Sequence, residues 1–359
     1  MANQPTAINR GRRGFVLATT TLAAVAMVGA VGLAIDVGQA YIVRSEAQAH
    51  VDAAALAAAL ELDGTAEGIT RATSQVANSL NRWRFDTQTF TGTQVEFSTD
   101  PAGPWESVPA SPAGYRFARV GATANIPLLF VRVLVPQDTA LVAARAVAGQ
   151  VPKQRFIEGI FPFSPYAHDP NDHVDGGLTP GQIYTLRWPN SFNKNATYCP
   201  ADNNATMIDL AESAGAQTQG YIEDNSADVI REAIEGDAMS TGREYDIGTP
   251  LMMSSGQKQT EHSSLINRIN QDTDTSSATY AEYEAAGEGN GRRLVVVPIN
   301  GGPSDFAITT FGLFFLLPAS EYQNSPLRPF CAEYVGPGVL GGKRKGAGGP
   351  GVYVVRLVQ

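Results

Sequence analysis

Oxygen and imidazole groups crowd together at His168-Asp169-Pro170-Asn171-Asp172-His173-Val174-Asp175-Gly176. A helix-loop-helix calcium site needs glycine at its sixth loop position and glutamate at its twelfth. Counted from Asp169, the sixth position is Val174 and no glutamate follows at the twelfth. The stretch reads as a solvated turn, with a structural cation site as its alternative. Phosphate chemistry has less support. Gly336–Gly351 is glycine-rich and carries Lys343, Arg344 and Lys345, but a phosphate loop runs Gly-Lys-Ser/Thr so that a hydroxyl reaches magnesium, and here Arg344 follows Lys343. It reads as a basic hairpin tip between strands near Cys331 and Val354. Gly287-x-Gly289-x-Gly291 precedes a strand instead of joining strand to helix, which removes a dinucleotide reading.

Serine hydrolysis requires a base beside the nucleophile. The histidines are His50, His168, His173 and His262, the last beside Ser263 and Ser264, and no Gly-x-Ser-x-Gly elbow occurs. No catalytic residue, cofactor-binding residue or metal ligand is assigned, and the chain reads as non-enzymatic with no cofactor. The net charge of −9 argues against nucleic acid as partner, because phosphate neutralisation needs a surplus of Lys and Arg. Cys199 and Cys331 are the only cysteines. In an oxidising compartment they can pair as a disulfide; otherwise they are two buried thiols.

The element that positions everything else is Arg10 to Leu60. Arg10, Arg12 and Arg13 precede a run from Phe15 to Ile35 without a charge, and an alanine-rich helical pattern follows through Leu60. At about 1.5 Å per residue, roughly twenty apolar residues match a hydrocarbon core of about 30 Å. The arginine bias places residues 1–13 in the cytoplasm, 14–38 in the membrane and the remainder outside. A secretory signal would have a shorter apolar region. Ala26, Ala30, Ala34 and Gly38 fall four apart and form a small-residue face for another transmembrane helix. Asp36 reads as an interfacial charge near the outer headgroups, or as the partner of a cationic group on another subunit. The stalk beyond Tyr41 has a narrow packing face that requires a neighbour.

Asp63-Gly64 ends this helix, and Thr65–Leu80 has a second helical pattern. Strand signals follow at Gln94–Ser98, Arg116–Ile126 and Thr139–Val147, with the apolar run Pro127–Val135 between the last two. Residues 39–150 therefore read as a helical stalk plus a small β module, and Gln150–Gln154 as a linker. Residues 151–359 read as a mixed unit with strands at Gln182–Arg187, Leu294–Asn300, Phe306–Leu317 and Gly351–Val358. A polar insert of about 190–290 carries helices around Val229–Ile234, capped by Ser226, around Leu265–Ile269, and at Tyr280 and Tyr283. The fold class is α+β: a single N-terminal transmembrane helix continuing into an extracytoplasmic helix, followed by antiparallel β-rich units with inserted helices.

Arg13-Gly14-Phe15, the span ending Gly32-Leu33-Ala34-Ile35-Asp36-Val37-Gly38, Tyr41, and Val51-Asp52-Ala53-Ala54-Ala55-Leu56-Ala57-Ala58-Ala59 resemble the N-terminal segment of TadG-like proteins of the TadE/TadG group. The close of the β module, Ala144-Arg145-Ala146-Val147-Ala148-Gly149, is similar to that group as well. The resemblance covers about the first 150 residues. It implies a bacterial inner-membrane protein with a periplasmic domain, acting with other proteins of Flp (tight adherence) pilus assembly. Pilins of that system are cut after a glycine and carry glutamate at the fifth mature position. At Gly14-Phe15 the fifth and sixth positions are Thr19 and Thr20, so the chain is expected to stay uncut. The Asp-x-Ser-x-Ser metal motif of the von Willebrand A domains found in some TadG-like proteins is missed by Asp274-Thr275-Ser276-Ser277-Ala278. A membrane-tethered ligand-binding module is the alternative function, and a tethered hydrolase the third.

Overall fold

The computed structural model of the chain describes residues 11–359 except 80, 84–86, 134–135, 158, 190–195, 214–226, 237–243, 254–260, 305, 337, 341, 343, 350 and 359. Arg10, Ser226 and Lys343 lie outside the described residues, as do the side chains of Arg12 and Arg13.

Helix α1 runs unbroken from Gly11 to Leu60. In its first part Phe15, Leu17, Leu22, Val25, Met27, Val28 and Val31 are all exposed, so the helix is apolar on every side. Thr19, Thr20 and Thr21 donate their hydroxyls to the carbonyls of Phe15, Val16 and Leu17 at 2.9, 2.8 and 2.8 Å. Those hydroxyls need no water. From Val43 onward the helix has an inside. Val43, Ala47, Val51, Ala54, Ala55, Ala58 and Ala59 are buried, at spacings of three and four that form one stripe.

That stripe packs on an antiparallel ladder of β1 (Thr91–Ser98), β2 (Phe117–Pro127) and β3 (Thr139–Pro152). Ala118, Val120, Ala122, Ala124 and Ile126 alternate along β2 and join the same core. Alanine on both surfaces lets helix and sheet approach closely. The neighbour that the stalk requires is thus the chain's own sheet. Helix α2 (Ala66–Asn78) follows a cap in which Thr65 Oγ1 accepts the Gly68 N–H at 3.0 Å. Burial opposes the charge on Asp63, but hydrogen bonds from Thr65 and its ion pair with Arg71 outweigh this and hold its carboxyl below the usual range.

A second antiparallel sheet contains β4 (Ile183–Arg187), β5 (Leu294–Asn300), β6 (Ile308–Leu316) and β7 (Phe330–Gly336), in the order β4-β7-β6-β5. Both β5 and β6 are buried along their whole length, which accounts for their unbroken runs of apolar and small residues. Helices α3 (Ala205–Ser213), α4 (Ala227–Glu235), α5 (Glu261–Asn270) and α6 (Tyr280–Ala286) lie in the chain between β4 and β5. The fold is α+β: an N-terminal apolar helix followed by β-rich parts with inserted helices.

Two connections differ from the sequence reading. Gln150–Gln154 is not a linker, because β3 continues through Pro152 to meet β9 (Val352–Leu357), in register from Tyr353 opposite Pro152 to Leu357 opposite Ala148. Nor is Gly336–Gly351 a hairpin tip. Its flanking strands belong to different sheets, and β8 (Gly338–Val339) runs parallel to β9. Gly336, at φ 104°, takes a backbone conformation that only glycine adopts readily as the chain leaves the second sheet. The basic loop is fastened, with the Lys345 N–H donated to the Tyr280 hydroxyl at 2.8 Å.

Candidate functional site: the anchor and its cap

Asp36 faces its own chain. It is 3% exposed, and its carboxylate accepts the backbone N–H groups of Leu129, Phe130 and Val131 at 3.0, 2.9 and 2.7 Å. These donors open the turn at Val131–Val133, between β2 and β3. Backbone N–H groups converging on one carboxylate form charge-assisted bonds, stronger than neutral ones. One helical turn earlier, Gly32 leaves room for Phe130: a Cβ at Gly32 would lie 2.6 Å from the Phe130 Cβ. Gly32 and Asp36 together seat the β2–β3 loop on the helix. The sequence reading missed Gly32. The available signal was the i, i+4 pair of a glycine and a lone acid in an apolar helix, matched by an apolar run between two strands.

An Asp36→Ala substitution is expected to release this loop while the buried stripe from Val43 onward stays in place. Hydrogen exchange at the amides of Leu129 to Val131 should accelerate by more than about tenfold. Unchanged exchange there would contradict the cap.

Ala26, Ala30, Ala34 and Gly38 are all exposed and lie on the side of α1 away from Gly32 and Asp36. Among the described residues, nothing in the chain covers them.

Several of the residues singled out for chemistry are held in structural roles. Cys199 and Cys331 form a disulfide with Cα atoms 5.8 Å apart, joining the turn Pro200–Asp202 to β7. Asp202 accepts the His168 Nε2–H at 2.7 Å and the Thr185 N–H at 2.6 Å. Asp172 closes the His168–Gly176 turn by accepting N–H groups of Gly177 and Val174, both at 2.9 Å, and these donors hold its carboxyl below the usual range. Tyr334 donates its hydroxyl to Asp175. His262 Nε2 donates to the Tyr322 carbonyl at 3.2 Å. Asp274 is occupied by the N–H and hydroxyl groups of Ser276 and Ser277. Among the described residues, no group of three or more His, Cys, Asp or Glu side chains is placed to hold a metal ion.

A cavity of about 280 Å³ lies between the second sheet and its helices, lined by Phe161, Ala233, Arg268, Arg292 and Leu313. Arg268 is committed to the carbonyls of Arg292, Ile234 and Leu294, at 2.8, 3.0 and 3.5 Å. Burial brings its pKa down to about 10, with Arg292 adding to the effect, so it remains charged at neutral pH. The Arg268 guanidinium is thus taken up by the fold.

Among the described residues, α1 is the one helix long and apolar enough to cross a membrane. No curated protein and no solved structure matches the chain. Residues 14–61, which hold the entire apolar run and the alanine-rich half of α1, match the family model described as putative Flp pilus-assembly TadE/G-like, and the N-terminal segment of this chain is therefore TadE/G-like.

Proposed function

We propose that the protein is a non-enzymatic component of Flp (tight adherence) pilus assembly or anchoring, held in the bacterial inner membrane by one pass of α1. Residues 1–13 lie in the cytoplasm, 14–38 span the bilayer and 39–359 are periplasmic. The observation that carries this reading is the family match over residues 14–61, which coincides with the apolar helix. The arginine bias at the start of α1 supports the orientation. The disulfide supports it as well, since such bonds persist outside the cytosol.

The packing argues against a cleaved signal sequence. Gly32 and Asp36 hold the β2–β3 loop, and the stripe from Val43 to Ala59 is core. A cut within or after the apolar run would strip the folded part of its own cap or core. The exposed small-residue ladder is the surface on which a partner's transmembrane helix packs, and the periplasmic part contacts other assembly proteins.

Deleting the gene should abolish or reduce surface piliation and adherence, and a full-length copy should restore both. Unchanged piliation would count decisively against the role. Mass spectrometry of the mature chain should find Arg12 and Arg13 retained; a chain beginning at Phe15 would show processing as a pilin.

A further inference from the structure

The loop seated on Asp36 is itself apolar. Leu128, Leu129, Phe130 and Val131 stand in sequence directly after β2, between Pro127 and Arg132. Leu129 and Phe130 are 49% and 43% exposed, a poor use of two large apolar side chains in water. Behind them on β3, Leu141 is 66% exposed, and on the adjoining helix Ile35, Val37, Tyr41 and Ile42 are exposed too. The exposed loop and helix residues adjoin at the level where the charge-free run of α1 ends, and Leu141 stands on the sheet face turned away from α1.

Position along the helix gives the depth. Phe130 packs on Gly32, one turn or about 6 Å before Asp36, and so beside the charge-free run. If Phe15 enters the hydrocarbon on one side, a core of about 30 Å ends near Ile35, and Phe130 lies inside it. Non-helical backbone survives at that depth only where its N–H groups have partners within the protein. The Asp36 carboxylate supplies them to Leu129, Phe130 and Val131. A loop in water would need no such provision.

We infer that Leu129 and Phe130, in the first part of the β2–β3 loop, insert into the outer leaflet of the bilayer that α1 crosses. This rests on the reading of α1 as a transmembrane span. The occupant of the apolar surface is lipid, because the surface is continuous with the lipid-facing span. The folded part then stands on the membrane at two points, helix and loop, with Arg132 at the level of the phosphates and Tyr41 in the interfacial belt. Its orientation to the bilayer is fixed, where a helical tether alone would leave it free to tilt.

The test uses the full chain reconstituted in phosphatidylcholine–phosphatidylglycerol liposomes. The native cysteines are bonded to each other, so one introduced cysteine takes a nitroxide label alone. Labels are placed at Leu129→Cys, at Leu141→Cys as a second reporter, at Val25→Cys within the span, and at Val108→Cys, a site 83% exposed, as the aqueous reference. Power saturation compares access of oxygen, which concentrates in lipid, with access of a water-soluble nickel chelate. The expected result is a several-fold higher oxygen-to-nickel ratio at Leu129 than at Val108, approaching that at Val25, with Leu141 between them. A Leu129 label as open to nickel as Val108, with Val25 in lipid, overturns the inserted loop and leaves the span standing. Nickel access at Val25 as well overturns both. A Leu129 label immobilised and screened from both reagents means that protein covers the loop, and the lipid assignment falls.

Discussion

Reducing the Cys199–Cys331 bond is expected to cost about 3–5 kcal/mol of folding stability. The bond closes a loop across a sequence separation of 132, and the entropy it removes from the unfolded chain grows with the logarithm of that length. The upper part of the range is the loop-closure value, and the lower part reflects how often real disulfides fall short of it. A second contribution is local. The bond anchors the turn Pro200–Asp202, and Asp202 is the shared acceptor for His168 Nε2 and the Thr185 N–H of β4. Freeing the turn should raise hydrogen exchange at Thr185 before global unfolding is reached. Thermal unfolding in detergent, with and without reductant, and of the Cys199→Ser/Cys331→Ser double variant, should show a fall on the order of 10 °C in both cases. A fall of less than about 1 °C in either would show that the insert is held by packing alone.

Sequence periodicity made local elements legible and left their partners hidden. The charge-free run, the alanine pattern and the helical pattern of Thr65–Leu80 define α1 and α2 without reference to anything distant, since helical hydrogen bonds are local. The strands at Leu294–Asn300 and Thr139 onward were equally plain from β-branched and apolar content. What the stalk packs on was not visible, because a stripe of alanines suits a second helix and a sheet equally well. Asp36 could be weighed only as a charge at a given depth, since its donors are backbone N–H groups more than 90 residues away, in an apolar run whose side chains give no sign of the contact. The segment Gln150–Gln154 looked like a linker because Gln, Pro and Lys suggest solvent. Its pairing with β9 is set by the last strand of the chain, and composition carries no trace of such long-range registry.

Gln150 shows how much depends on that registry. It is fully buried, and its Nε2 donates to the carbonyls of Ala59 at 2.8 Å and Leu62 at 2.6 Å, groups that the end of α1 leaves without helical partners. Its Oε1 accepts the Ala347 N–H at 2.8 Å. One amide therefore joins the end of the stalk, the middle of the first sheet and the loop that delivers β9. Gln150→Ala leaves two carbonyls and one N–H buried without these partners, at about 3 kcal/mol in total once relaxation is allowed. Protease sensitivity should then rise at residues 344–351 as well as around Leu62, because both ends of the bridge are lost.

Gln150→Glu is the sharper test. The substitution turns the donating nitrogen into an oxygen facing two carbonyls, so the side chain fits only when protonated, and burial likewise raises its folded pKa. Such a group binds its proton more tightly folded than unfolded. The variant should therefore come closest to wild type below about pH 4.3, the unfolded value, and lose stability relative to wild type as pH rises above it. A stability difference from wild type that stays flat between pH 4 and 8 would mean that the side chain at this position reaches water, and that the helix end, sheet and C-terminal strand are not joined through it.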